Sequence, residues 1–249
     1  MSTGTGETFD SPWVRAGRPF LQPFLSEGEL RLYKAGAVIY SQGEYSPGVF
    51  YIHRGRFKTT IYYEDGREKV LAVQEAPTTF GETAAFDGEP HFCTAVALTD
   101  CQIYLFRKNV IRRLLHTNPE LSLSLLEAIG RKLRLLALQV EDLTFLGAPP
   151  RIAHLLTKLL VDYGIITESG ERLSIPITHQ ELADVAGTSR ITVTTVLNQL
   201  EKEGIIRKKR RTIYVSDKAK LIDFTQQSMR RGRPERPPRN EMREQSQSR

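Results

Sequence analysis

The stretch SRITVTTV, Ser189 to Val196, sets six β-branched residues in an unbroken row from Ile191 to Val196. Two heavy atoms on Cβ restrict χ1 in a helix and suit a pleated surface, so propensity alone reads the row as a strand. Strand alternation puts Ile191, Val193 and Leu197 on one face, whereas helical spacing gathers Val193, Val196, Leu197 and Leu200 at i, i+3, i+4, i+7. The flanks decide for the helix. Upstream, Thr178-His179-Gln180-Glu181 has the form of a capping box, and Leu182, Val185 and Ala186 supply a short apolar face. Gly187 suits a tight turn, and Thr188 or Ser189 suits the cap of the next helix. Downstream, LNQLEKEG contains strong helix formers and stops at Gly204. Two short helices joined by a Gly turn, then IIRKKRRTIYV as a basic hairpin, predict a winged helix-turn-helix.

The second helix then has a face with no core to serve: Ile191, Thr194, Thr195 and Asn198, with Arg190 beside them. Small hydroxyls and a branched apolar group let a helix sit close in the major groove of double-stranded DNA. There Thr and Ile meet thymine methyls and Arg takes guanine O6 and N7 together. Ser189 and Thr192 open that helix, and Lys208, Lys209 and Arg210 in the hairpin are placed to meet phosphates.

Charge agrees with this placement. Residues 206–220 carry seven basic side chains against one acidic, and 230–249 carry seven Arg against three Glu, which leaves residues 1–205 net acidic in a chain of +6. A local basic patch suits a polyanion and the acidic remainder does not. No basic start followed by an apolar stretch opens the chain, and no apolar run reaches bilayer length, so a cytoplasmic protein without membrane contact is expected.

From about Leu30 to Leu105 short strands alternate with glycines, and YYEDGREKV places Asp65-Gly66 between alternating segments as a hairpin signal. From Asn118 to about Leu146 the period changes. Leu126, Ile129, Leu133, Leu136, Val140 and Leu143 recur at spacings of three and four, beside a second row of Leu121, Leu125, Ala128, Lys132, Leu135 and Gln139. A helix with two such faces needs two partners. One is the chain's own β domain, the other the same helix of a second subunit. Gly147-Ala148-Pro149-Pro150 ends this helix, and past Phe224 the chain is nearly free of apolar residues.

With these parts in order, the chain resembles the bacterial regulators typified by the cyclic-AMP receptor protein and the fumarate-nitrate-reduction regulator. The resemblance is carried by THQELADVAGTSRITVTTVLNQLEKEGII with its basic wing, by LTFLGAPPRIAHLL, and by FGETAAFDGEPHFCTAVAL. It implies an α+β protein: an N-terminal arm (1–20), a cyclic-nucleotide-binding-like β-roll or jelly roll (21–117), a dimerisation helix (118–146), a winged helix-turn-helix (147–220), and a basic, disordered tail (221–249). It further implies a homodimer that reads a palindromic operator and recruits or blocks RNA polymerase. Arg190 matches the family's guanine-reading arginine, and Thr178, His179 and Gln180 match its backbone-contacting helix start. Ile191 stands where many members have Glu and Thr195 where many have a second Arg, which predicts a changed half-site.

The resemblance places an effector among Phe80, Gly81, Glu82, Thr83, Cys93, Thr94, Lys132 and Leu136. Gly81-Glu82 matches the ribose-holding segment of cyclic-nucleotide binders, but Cys93-Thr94 stands where those proteins hold phosphate with Arg-Ser. A buried phosphate needs a charge partner that Cys cannot supply, so cyclic AMP is not expected. Two cysteines, Cys93 and Cys101, do not make an iron-sulfur site. His91 and Cys93 lie near where a carbon-monoxide-sensing relative binds haem. Absent these cofactors, the expectation is a small organic effector, with Lys132 pairing either an acidic or phenolic group, as in the halorespiration regulators, or a nearby carboxylate of its own chain. A cupin-type metalloenzyme needs two His and a carboxylate around one metal, whereas His53, His91, His116, His154 and His179 fall in five different elements. No enzyme is expected.

Overall fold

The computed structural model describes residues 13–14, 20–167, 170–209 and 212–231. After β1 (Trp13–Val14) and a 3-10 turn at Gln22–Glu27, the chain forms β2 (Glu29–Tyr33), β3 (Val38–Tyr40), β4 (Gly48–Arg54), β5 (Arg56–Tyr62), β6 (Glu68–Glu75), β7 (Thr78–Phe80), α1 (Glu82–Phe86), β8 (Thr94–Ala97) and β9 (Cys101–Arg107). Asp65-Gly66 lies in the β5–β6 turn, with Tyr62 opposite Glu68. Two sheets result, β1-β6-β5-β8-β3 and β2-β9-β4-β7. Between them lie Phe50, Ile52, Phe57, Phe80, Ile103 and Leu105.

The central strand β4 explains its own sequence. Val49 and Tyr51 pack with Phe106 and Ile111 on one side, while Phe50 and Ile52 enter the inter-sheet core on the other. A strand buried on both faces reads as a continuous apolar run rather than an alternation. The outer cover comes from α2 (Lys108–Thr117), which falls inside the span expected to be β-roll, and from the start of α3 (Pro119–Phe145).

Then follow α4 (Ala148–Tyr163), β10 (Gly164–Thr167), β11 (Gly170–Leu173), α5 (His179–Ala186), α6 (Arg190–Lys202), β12 (Ile206–Lys209), β13 (Thr212–Val215) and α7 (Lys218–Arg231). The strands form a sheet in the order β10-β11-β13-β12, with β12–β13 as the wing. The β-branched row is α6. Valine and threonine cost a helix up to about 0.7 kcal/mol each, whereas burying a Val or Leu side chain returns about 1.5–3 kcal/mol. Val193, Val196, Leu197 and Leu200 are all buried, so burial wins. The Thr194 and Thr195 hydroxyls donate to the carbonyls of Arg190 and Ile191 one turn back.

One expectation is corrected here. The chain past residue 220 does not leave the domain as a tail: α7 continues to Arg231, with Leu221 and Thr225 buried and Phe224 packed on the C-terminal core. Leu221, Phe224 and Thr225 lie on one face of a helix otherwise rich in polar residues, which average composition hides. Residues 232–249 and most of the expected N-terminal arm lie outside the described residues.

The two domains touch directly. Val70 and Val73 of β6 belong to the same core as Ile152, Leu182 and Val193. At that junction Lys69 Nζ donates to Val70 O at 2.8 Å, Gln139 Oε1 at 2.9 Å and Val185 O at 2.7 Å. Arg151 Nε donates to Ala186 O at 2.7 Å. Two cations thus satisfy the free carbonyls at the C-terminus of α5, the end at which a helix attracts positive charge.

Candidate functional site

The reading head is built by local capping. Thr178 accepts from Glu181 N while the Glu181 carboxylate accepts from Thr178 N, completing the capping box of α5. Gly187 takes φ 61°, which a side chain would strain, and turns the chain into α6. Ser189 caps α6 by accepting from Thr192 N at 3.0 Å, and its hydroxyl also meets that of Thr192 at 2.8 Å.

The expected DNA contacts separate into two kinds. Arg190, Ile191 and Thr195 are exposed on the outer side of α6, Ile191 to 79% of its surface. Thr194 is not free in this way. Its single hydroxyl proton goes to Arg190 O at 2.9 Å, so at 2.9 Å it accepts from His179 Nδ1, locking α5 to α6. Burial, with Lys208 and Arg190 nearby, pushes the His179 imidazole below its usual pKa and keeps it neutral near pH 7. Asn198 Oδ1 accepts from Lys208 Nζ at 2.5 Å, and the same ammonium pairs with Glu201 at 2.9 Å, tying the wing to α6. Gln180 donates to Asp184 at 2.6 Å. Thr178, His179, Gln180, Arg190 and Lys208 line one groove of about 470 Å³ between α5, α6 and the wing. Lys209 is exposed beside it, and Arg210 lies outside the described residues.

The second site is a cavity of about 320 Å³ between the β-roll and α3. Gly81 takes φ 71° ahead of α1, where a Cβ would come within 2.9 Å of Phe50, and so aims Glu82 inward. Phe80, Gly81, Glu82, Thr83, Cys93, Lys132 and Leu136 line the cavity as expected; Thr94 does not. Its hydroxyl instead accepts from Gln42 N at 3.0 Å and holds the chain just after β3. Tyr40, Gln74, His91 and Phe92 also line the cavity, and no motif in the sequence marks them. They come from separate strands and loops, so no periodicity along the chain groups them.

Lys132 is held by its own chain: Nζ pairs with Glu82 Oε1 at 2.7 Å and donates to Thr79 O at 2.5 Å. Around it His91 stacks on Tyr40 at 3.7 Å between centroids, and burial holds its imidazole below the usual pKa. Burial pushes the Cys93 thiol up to about 11, so it stays protonated and makes a poor thiolate ligand. Among the described residues no three His, Cys, Asp or Glu side chains cluster as a metal site, and no helix is long and apolar enough to cross a membrane.

On the far side of α3, Leu126, Leu133, Val140 and Leu143 stand exposed, Leu126 and Leu133 to 63% and 67%. The row of Leu121, Leu125, Ala128 and Leu135 is buried against the chain's own fold.

Comparison with known proteins agrees in both halves. The cyclic nucleotide-binding domain matches residues 30–118, and the Crp-like helix-turn-helix domain matches residues 150–224. The cAMP-activated global transcriptional regulator CRP of Haemophilus influenzae is 30% identical over 198 residues, covering 79% of this chain and 88% of the relative. The CRP-like cAMP-activated global transcriptional regulator of Mycobacterium tuberculosis is 28% identical over 186 residues, 75% of this chain and 83% of its own. Among solved structures, a CooA variant from Carboxydothermus hydrogenoformans superposes with a TM-score of 0.73 at 27% identity, covering 82% of this chain and 90% of that one. CprK complexed with OCPA superposes at 0.72 with 21% identity, covering 84% and 97%, a likeness of fold alone. The chain belongs to the CRP/FNR family of DNA-binding transcriptional regulators, which are not enzymes.

Proposed function

We propose that this regulator is a homodimer whose affinity for a palindromic DNA operator is set by a small organic effector, other than cyclic AMP, held between the β-roll and α3. The observation that carries this reading is that α3 serves both sides of the device. Ile129, Lys132, Leu133 and Leu136 line the cavity, while Leu126, Val140 and Leu143, with Leu133 again, form the exposed seam. A ligand that moves α3 against the roll therefore also moves the seam, and with it the spacing of two reading heads that must fit successive turns of one groove face. The basic groove around Arg190 and Lys208 supports DNA as the partner and transcription by RNA polymerase as what is regulated.

Cyclic AMP is disfavoured on two counts. Cys93, at the phosphate position, is a neutral thiol, and the one lysine of the cavity lining is already neutralised by Glu82. The test has two stages. Operators are first selected from a random duplex pool, then affinity for them is measured by fluorescence anisotropy against cyclic AMP and a panel of aromatic effectors. An aromatic effector that changes affinity while cyclic AMP does not supports the reading; micromolar cyclic AMP that does so overturns it.

A further inference from the structure

The hydrogen bonds of the reading head fix where the proton of His179 sits. Thr194 has a single hydroxyl proton, and it goes to Arg190 O at 2.9 Å. Toward His179 the same oxygen can only accept, so the 2.9 Å contact places the ring proton on Nδ1. In a neutral imidazole of that tautomer, Nε2 carries a lone pair and no hydrogen. The ring is half-buried and lines the groove with Thr178, Gln180, Arg190 and Lys208, so in its neutral form it offers an incoming ligand only an acceptor. Phosphate oxygens of the DNA backbone are acceptors too, and the two cannot bond. Protonation changes one atom. Nε2 becomes a charged donor, while Nδ1 still donates to Thr194 and α5 stays locked to α6.

The surroundings set when that proton arrives. Without DNA, burial first, then Lys208 of β12 and Arg190 of α6, hold the ring below its usual pKa. From β13 only the uncharged Thr212 and Ile213 reach the groove. The neighbouring carboxylates are engaged elsewhere: Glu201 of α6 pairs with Lys208, Glu181 of α5 holds Thr178, and Asp184 holds Gln180. A phosphate entering the groove supplies the negative charge that the ring lacks. We propose that His179 is a proton-dependent phosphate ligand: in the DNA complex it is an imidazolium whose Nε2 donates to a backbone phosphate, so each reading head takes up a proton as it binds. The sign follows from linkage. At pH below the pKa of the unbound protein the ring is charged with or without DNA, and affinity is highest. Above that value only the complex keeps the proton, and affinity falls by at most about tenfold per pH unit for each head, levelling once the complex also loses it. Proton uptake at this ring does not depend on which effector fills the β-roll cavity.

The experiment is isothermal calorimetry of DNA binding by the full-length protein in two buffers of different ionisation enthalpy, whose difference in heat counts the protons taken up. The probes are operator duplexes selected from a random pool and a mixed-sequence duplex at low salt, since a phosphate contact does not depend on sequence. At about pH 7 the wild type is expected to take up roughly half to one proton per subunit. His179→Gln keeps a neutral donor that cannot titrate, and should abolish the uptake and flatten the pH dependence. His179→Arg carries a fixed charge. It should also show no uptake, yet at about pH 8 it should bind about tenfold tighter than His179→Gln, the usual advantage of a charge-assisted hydrogen bond. A ring that only joins α5 to α6 predicts no uptake and equal losses in both variants. The proposal is overturned by a wild type that takes up no proton, by wild-type uptake in His179→Gln, or by His179→Arg binding no tighter than His179→Gln at about pH 8. Failure of the wild type to bind either duplex would overturn it together with the groove as a DNA interface.

Discussion

Thr194 and Thr195 are adjacent, chemically identical and put to different uses. The hydroxyl of Thr194 joins Arg190 O to His179, so it shapes the reading head from inside, while Thr195 bonds its own helix and stays exposed. Arg190, Ile191 and Thr195 are therefore the side chains free to meet bases. Arg190→Ala should cost about 1–3 kcal/mol of operator binding and relax selectivity at one base pair, read by anisotropy against point-substituted operators. The double variant Ile191→Glu with Thr195→Arg should bind the operator of the cyclic-AMP receptor relatives better than wild type does. Equal or weaker binding would show that these positions do not set the half-site. The exposed set was legible from helical periodicity, which counts turns; the diversion of Thr194 was not, because it depends on how close α5 lies.

At the scale of elements, α3 and the β6–α5 junction carry the consequences. The exposed leucines of α3 make a seam whose interruption should separate subunits: Leu126→Asp with Leu133→Asp is expected to give monomer by sedimentation and to abolish tight operator binding. A dimer that survives both charges would reject this face. The junction adds a pH dependence. Burial, with Arg151 close by, lowers the Lys69 pKa from 10.5 to about 8, opposed by Asp142 and Asp184. Below about pH 8 the ammonium is charged in both folded and unfolded chains, and its burial penalty is present in full. Between there and about pH 10.5 the unfolded chain holds more protons than the folded one, so stability rises with pH. Lys69→Met should remove that rise, of order 2 kcal/mol between about pH 7.5 and about pH 9.5, in urea titrations against wild type. A parallel pH slope in the variant would show that Lys69 is not the group responsible. Nothing in the sequence singled out this lysine, since EKVLAV reads as an ordinary strand.

Across the whole molecule, cavity, seam and reading head are joined through α3 and α4. The hinge between these helices is braced by Asp142, which pairs with Lys158 and His154 at 2.9 Å each. Burial pushes the Asp142 carboxyl up, and these bonds more than reverse it, leaving its pKa below the usual carboxylate value. Binding free energies at coupled sites are reciprocal. An effector that raises operator affinity tenfold should therefore bind about tenfold tighter to the DNA complex than to free protein, by calorimetry on both. Asp142→Asn, which loosens the hinge without touching either site, should reduce that factor; an unchanged factor would place the coupling elsewhere.

The order of parts, the winged helix-turn-helix and the two-faced long helix were readable from the chain alone. Capping, turns and periodicity are settled within a few residues, and their physics is local. What a residue does once folded was decided by the tertiary structure. Lys132 faces the roll–helix cavity but is neutralised by Glu82, Thr94 turns to the backbone beyond β3, and the chain past residue 220 returns as α7 to the core. The polar lining of the cavity comes from residues 74, 82 and 91, and its cation from residue 132. Which donor meets which acceptor depends on distances that only the packed sheets and helices set, and no periodicity along the chain encodes them.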